Sequence, residues 1–226
     1  MNFIIARFLT VIGLAAFTVL LALSPADAAK KKRDPAKRLY MTKTCIACHG
    51  RNGAKAIMDY PNLAGQSEKY MLGQIKDIIA GKRTGSPDAT GNPRSQGMRG
   101  ALVAPDGAIT ISDKDIKTIV KWLAKQTPPE PAKLKTPLDP KSVAVGKKLY
   151  KKKCRSCHGK NAMKPLKGYP IIAGQKRAYI VTQVKDIQSK ARKNGKSKTM
   201  YPMIKKLKDT EINAVADYLS QIDRTK

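Results

Sequence analysis

The sequence predicts an all-α protein built as two tandem copies of one small helical unit. Three observations carry this. Shifted by 109 residues, the chain matches itself without a gap from Cys45/Cys154 to Ile78/Ile187, and 16 of the 34 pairs are identical. Apolar residues recur at helical spacing near the end of each copy. No segment alternates convincingly as a strand would. The repeat is longer than the roughly 20–50 residues of solenoid arrays and fits a duplicated domain.

Taken in order, the chain opens with Arg7, an uncharged run from Phe8 to Leu23, and Ala26-Asp27-Ala28. This pattern predicts a signal peptide over residues 1–28, cleaved after Ala28, and a periplasmic product. The alternative is a membrane anchor retained through residues 4–23, although the apolar run is short for a span. The stretch Thr127–Pro140 holds five prolines and reads as a stiff extended linker. The units that follow are 29–127 and 141–226, joined by a linker over 128–140.

Within each unit the helices can be placed. Asp34 to Lys43 and Pro140 to Lys152 lead into the two cysteine motifs, the second starting at a proline suited to a first helical turn. Ser67 caps a helix running to about Ile79. Ser112 and Asp115 resemble a capping box ahead of Ile116, Ile119, Val120 and Leu123. In the second unit Asp209 is the expected cap, and Ile212, Val215, Ala216, Leu219 and Ile222 follow. Three short helices with so little apolar content need something else to fill their centre.

Charge narrows the partners. Residues 29–127 carry 19 Lys+Arg against 8 Asp+Glu, and residues 128–226 carry 25 against 7. Such a surface attracts acidic proteins and anionic membrane surfaces. Export and the scarcity of interleaved aromatics argue against nucleic acid.

All four cysteines and both histidines lie in "CIACHG" (45–50) and "CRSCHG" (154–159). On a helical turn, Cys at i and i+3 and His at i+4 point to one side. Two thiols can then reach the two vinyl groups of a haem while the imidazole meets the iron, which is the c-type attachment pattern. A redox CxxC needs no histidine after it, zinc wants a fourth ligand, and disulfides leave the histidines unexplained. Two covalent haem c groups are therefore expected on Cys45, Cys48, Cys154 and Cys157, with His49 and His158 on the irons. Neither iron can take a second histidine from this chain. Its sixth ligand is Met, Lys, another weak donor or nothing. In the first unit Met98, in the loop "RSQGMRG", is better placed than Met58 or Met71. In the second, Met200 and Met203 are both available.

The chain resembles the class I cytochromes c, specifically the two-haem cytochrome c4 family, over nearly all of its length beyond the leader. The resemblance rests on both C-x-x-C-H-G motifs, on "YPNLAGQ" and "YPIIAGQ" with a Pro 12 residues after each His, on "GKR" at 81–83, and on a Met ahead of "ISDKDI" and "LKDTEI". It implies two tandem class I domains, each a few helices wrapped around a haem. The carbonyls of Pro61 and Pro170 should accept the imidazole N–H. Met200 is the implied second-unit ligand, seven residues before Leu207. Met98 stands 13 before Ile111, so a six-residue insertion is expected in "VAPDGAIT". The family's close helix crossing at glycine, against Trp122 or Tyr218, implies looser packing where the first unit has Ala36 instead of Gly146.

His/Met ligation leaves no coordination site for a substrate, and methionine raises the potential. The expected role is a non-enzymatic carrier of single electrons between a quinol-oxidising complex or dehydrogenase and a terminal oxidase or other acceptor. The alternative is the electron-accepting subunit of a sulfide or thiosulfate dehydrogenase, since no flavin motif or catalytic constellation is present. The run "KARKNGKSK" (190–198) ahead of Met200 has a nearly neutral counterpart, "TGSPDATGNPR", ahead of Met98. It is expected to rim the second haem, to dock an acidic redox protein or membrane oxidase domain, and to give that haem the higher potential.

Overall fold

The computed structural model describes residues 34–226, and the leader expected over 1–28 lies outside them. Helices make up the regular structure of the described residues, apart from two isolated bridges, Pro87–Pro93 and Val103–Ile109. None of these helices is long and apolar enough to cross a membrane.

The first half runs α1 (Pro35–Thr42), α2 (Cys45–His49), α3 (Glu68–Ile79), α4 (Gln96–Leu102) and α5 (Asp113–Ala124). The second runs α6 (Pro140–Leu149), α7 (Arg155–His158), α8 (Arg177–Gln188), α9 (Ser197–Ile204) and α10 (Asp209–Ser220). In each half the first and last helices pack together, α1 on α5 and α6 on α10. The middle helix lies on the last, α3 on α5 and α8 on α10. Tyr40, Met71, Ile116 and Trp122 belong to one buried cluster, and Tyr150, Ile180, Ile212 and Leu219 to another.

Most helix starts follow local chemistry. Asp34 and Asp139 accept from backbone N–H groups one turn in, ahead of Pro35 and Pro140. Ser67 accepts from the Tyr70 N–H at 3.4 Å, and Ser112 from the Asp115 N–H at 3.1 Å. Asp209 departs from its expected role. The cap position is Lys208, whose N–H donates to Glu211 at 2.8 Å, while Asp209 is the first helical residue and pairs with Lys185 at 2.7 Å.

Two elements were not expected. Met98 lies in α4 and Met200 in α9, not in loops. α9 carries Pro202 in its interior, where one carbonyl of the preceding turn loses its backbone donor. The expected insertion ahead of Ile111 is a tight hairpin, closed by Ala104 N–H to Ala108 O at 2.8 Å and Thr110 N–H to Leu102 O at 3.0 Å.

The halves also differ in the approach to the cysteine motif. Four residues lie between Tyr40 and Cys45, but three between Tyr150 and Cys154. The first half breaks its helix at Thr44, in the left-handed region at φ 57°. The second continues α6 through a π-helical turn over Tyr150–Cys154, which ends the expected helix at Leu149. Both routes deliver the tyrosine to the same place: Tyr40 donates to Gly50 O at 2.7 Å and Tyr150 to Gly159 O at 2.5 Å.

A Cβ added to Gly146 would stand 1.9 Å from the Ala214 carbonyl oxygen. α6 and α10 therefore approach more closely than a methyl permits, whereas α1 already carries the Ala36 methyl. Gly146→Ala should lower the stability of the haem-loaded protein by about 1–3 kcal/mol through overpacking. Ala36→Gly should cost only about 1 kcal/mol through helix entropy. Thermal unfolding of the two variants checks the ranking.

Candidate functional site

Each CxxCH motif occupies one short helical turn. Gly50 (φ +69°) and Gly159 (φ +77°) end these turns, where a Cβ would lie 2.0 Å from the carbonyl oxygen of Lys55 or Lys164. The chain can therefore fold back at once. Ile57 N–H then bonds Cys48 O, and Leu166 N–H bonds Cys157 O, both at 3.0 Å.

None of the four cysteines is paired in a disulfide. Before a haem is attached, burial raises the pKa of Cys45 and pushes Cys154 up to about 12, so both thiols stay protonated near neutrality. His49 and His158 are buried. His49 Nδ1 lies 3.0 Å from Pro61 O, and His158 Nδ1 lies 3.1 Å from Pro170 O. A carbonyl can only accept, so Nδ1 carries the proton and Nε2 is the basic nitrogen. Burial lowers both imidazole pKa values, and the proline carbonyls partly offset it. Neutral imidazole is the metal-binding form.

Met98 and Cys45 both pack on the first apolar cluster, and Met200 and Cys154 both pack on the second. Met203 is 41 % exposed and Met58 75 %. Among the described residues no group of three or more His, Cys, Asp or Glu could hold a metal ion unaided. An imidazole nitrogen, two cysteines and a nearby methionine against an apolar wall suit a covalently held haem and no bare cation.

A family model for cytochrome c matches residues 34–127 and 143–223. Cytochrome c4 of Azotobacter vinelandii is 31% identical over 215 residues, spanning 91% of this chain and 97% of that protein. The chain belongs to the cytochrome c4 family. It is a two-haem electron carrier with both haems covalently bound, and it is not itself an enzyme. Reduced recombinant cytochrome c4 from Pseudomonas stutzeri has a similar structure, with a TM-score of 0.65 at 29% identity, covering 83% of this chain and 98% of that one. A protein of Thiomonas intermedia (strain K12) named thiosulfate dehydrogenase electron acceptor is 27% identical over 187 residues, covering 78% of this chain and 77% of that protein.

The two halves of this cytochrome meet through reciprocal contacts. Gln66 donates to Ile171 O at 2.7 Å and accepts from Ile171 N–H at 2.8 Å. Gln175, 109 residues on, donates to Asn62 O at 2.9 Å and accepts from Asn62 N–H at 3.0 Å. Beside them, Arg83 donates to Tyr179 (2.9 Å) and Gln183 (3.1 Å), while Arg192 donates to Tyr70 (3.1 Å) and Gln74 (2.9 Å). Burial alone would raise the Tyr70 phenol, but the guanidinium groups of Arg192 and Arg83 hold it below its ordinary value. Arg83 also lies close enough to His49 to disfavour the imidazolium.

Sequence reasoning assigned no role to these residues, although Gln66/Gln175 and Tyr70/Tyr179 are identical repeat pairs. An identity that survives duplication at a polar position was the available signal. The 190–198 run is only partly exposed: Arg192, Asn194 and Ser197 are buried, with Asn194 donating to Asp77 at 2.6 Å, while Lys193, Lys196 and Lys198 face solvent. Its counterpart ahead of Met98 also faces the other half, where Ser86 N–H donates to Asp186 at 3.2 Å.

Replacing Gln66 or Gln175 by Leu should strand a backbone donor and acceptor on the opposite half, at about 1–3 kcal/mol for each unpaired group. The measurement is denaturant unfolding followed at tryptophan and haem. Each substitution should separate transitions that coincide in the parent.

Proposed function

We propose that this cytochrome is an exported periplasmic carrier that passes single electrons from a quinol-oxidising complex or dehydrogenase to a terminal oxidase or other acceptor. One observation carries the reading. Each half holds a buried histidine with Nδ1 already engaged, and a methionine packed on the same apolar cluster as the first cysteine.

Cys45 and Cys48, and Cys154 and Cys157, are the thioether positions. His49 and His158, with Met98 and Met200, would supply the protein ligands to the two irons. When bound, each haem supplies an iron that gains or loses one electron. Pro61 O and Pro170 O fix the ring planes and keep Nε2 basic, so the ligand field does not drift with rotation of the imidazole. The buried clusters exclude water. With Met98 and Met200 as ligands, the irons would have no position left for a substrate.

The units are 29–127 and 141–226, joined by a linker over 128–140; matched spans of 34–127 and 143–223 support a division in this region. The acidic redox protein or oxidase domain docks near the 190–198 loop, where Lys193, Lys196 and Lys198 remain exposed. The surplus of cations in the second half gives its haem the higher potential. The relative named as a thiosulfate dehydrogenase electron acceptor supports a second reading, that this chain accepts electrons within such a complex. Co-purification with a catalytic partner, rather than as a free monomer, distinguishes it.

Absorption spectra of the reduced protein with and without carbon monoxide, with haem counted per chain, test the ligand set. Two haems that both resist carbon monoxide are expected. Met200→Ala should open one haem to carbon monoxide and lower one midpoint potential, while Met203→Ala leaves both potentials in place. The reverse result would assign Met203 as the ligand.

A further inference from the structure

We infer that each haem's reduction potential is tuned from the opposite half, by Gln175 acting on His49 and Gln66 acting on His158, each through a single peptide group. The inference rests on the histidine ligation proposed above. It adds two positioning residues, neither of which touches a histidine.

The carbonyl of Pro61 and the N–H of Asn62 belong to one planar amide. Its oxygen lies 3.0 Å from His49 Nδ1, and its N–H donates to Gln175 Oε1 at 3.0 Å. The repeat reproduces the arrangement with the halves exchanged. The amide joining Pro170 to Ile171 has its oxygen 3.1 Å from His158 Nδ1 and donates to Gln66 Oε1 at 2.8 Å. Each imidazole is therefore one peptide group away from a side chain of the other half.

An amide engaged at both ends acts as a relay. An acceptor on its N–H draws electron density toward its oxygen, because the two ends share one resonance system. The oxygen then accepts more strongly from Nδ1–H. A stronger acceptor there makes Nε2 more basic and favours the oxidised iron. Both glutamines are buried, so bulk water does not compete for the amide. Their orientation is also fixed. Gln66 Oε1 accepts a second N–H from Ser67 at 2.8 Å, and Gln175 Oε1 accepts one from Lys176 at 2.9 Å. Each Nε2 donates to the carbonyl of the same opposite residue, Ile171 or Asn62. Two backbone donors converge on each Oε1, so a reversed side-chain amide would set donor against donor.

A clasp with no electronic role predicts the opposite sign. Removing it would admit water to the nearby haem, which favours the more charged, oxidised iron and lowers the potential. Removing a relay raises it.

The test uses haem-loaded protein carrying isotopically labelled histidine, which gives two ring systems because the chain has two histidines. The variants are Gln175→Leu and Gln66→Leu. The control, Asn194→Ala, removes a bond across the halves to Asp77 without touching either peptide. In reduced Gln175→Leu the His49 Nδ1–H resonance should move upfield, and in a redox titration followed half by half the first haem's midpoint potential should rise. His158 and its haem should change little. Gln66→Leu should give the mirror result, and the control should leave both rings in place. A fall in potential, a change confined to the substituted half, or equal shifts in all three variants would overturn the inference. Where a leucine variant fails to take up haem, Gln175→Glu decides. It keeps the acceptor and strengthens it with a charge, so it should move the His49 proton downfield and the first potential down. An unmoved His49 proton would again overturn the relay. A ring lacking the nitrogen shift of an iron-bound imidazole rejects the ligation reading, whereas two ligated rings that ignore the opposite glutamine reject the relay alone.

Discussion

Two glutamines hold the molecule together as a two-centre carrier. Gln66 and Gln175 each pair both ends of the side-chain amide with the backbone of one residue in the opposite half. An amide that donates and accepts against a single residue fixes distance and direction at once. Two such pairs, related by the repeat, leave little freedom for the halves to slide. The paired residues Asn62 and Ile171 directly follow Pro61 and Pro170, whose carbonyls orient the two histidines. The contact that sets the halves against each other is therefore one residue from the contact that sets each imidazole.

Around this pair the arginines Arg83 and Arg192 extend the same reciprocity, each donating to a tyrosine and a glutamine of the other half. A self-complementary interface of this kind is what two identical copies related by a two-fold axis would make. Duplication joins the copies in one chain and frees each to change. The changes lie where the dyad does not reach. Thr44 answers a π-helical turn, Ala36 answers Gly146, and Ser67 answers Lys176.

The sequence was most legible where the chemistry is local. C-x-x-C-H-G specifies a turn that presents two thiols and an imidazole together, because helical spacing alone aligns them. The caps Ser67 and Ser112 act within three residues and were readable for the same reason. Asp209 was not, because Lys185 on another helix competes for its carboxylate. The 190–198 run was only partly legible for a related reason. Composition cannot tell a solvated arginine from one such as Arg192, which is buried against Tyr70 and Gln74 from 118–122 residues away in sequence.

By itself, then, the sequence determined the number of units, their helical class, the attachment motifs and their histidines, since each depends on spacing within a few residues or on a match between copies. Tertiary structure alone decided that Met98 and Met200 sit on helices, that Gln66 and Gln175 clasp opposite backbones, and that Arg192 is buried against the first half. The last two outcomes depend on residues more than 100 positions apart meeting in space. No local propensity encodes such a meeting. It follows only once two apolar clusters have been buried and the halves have docked.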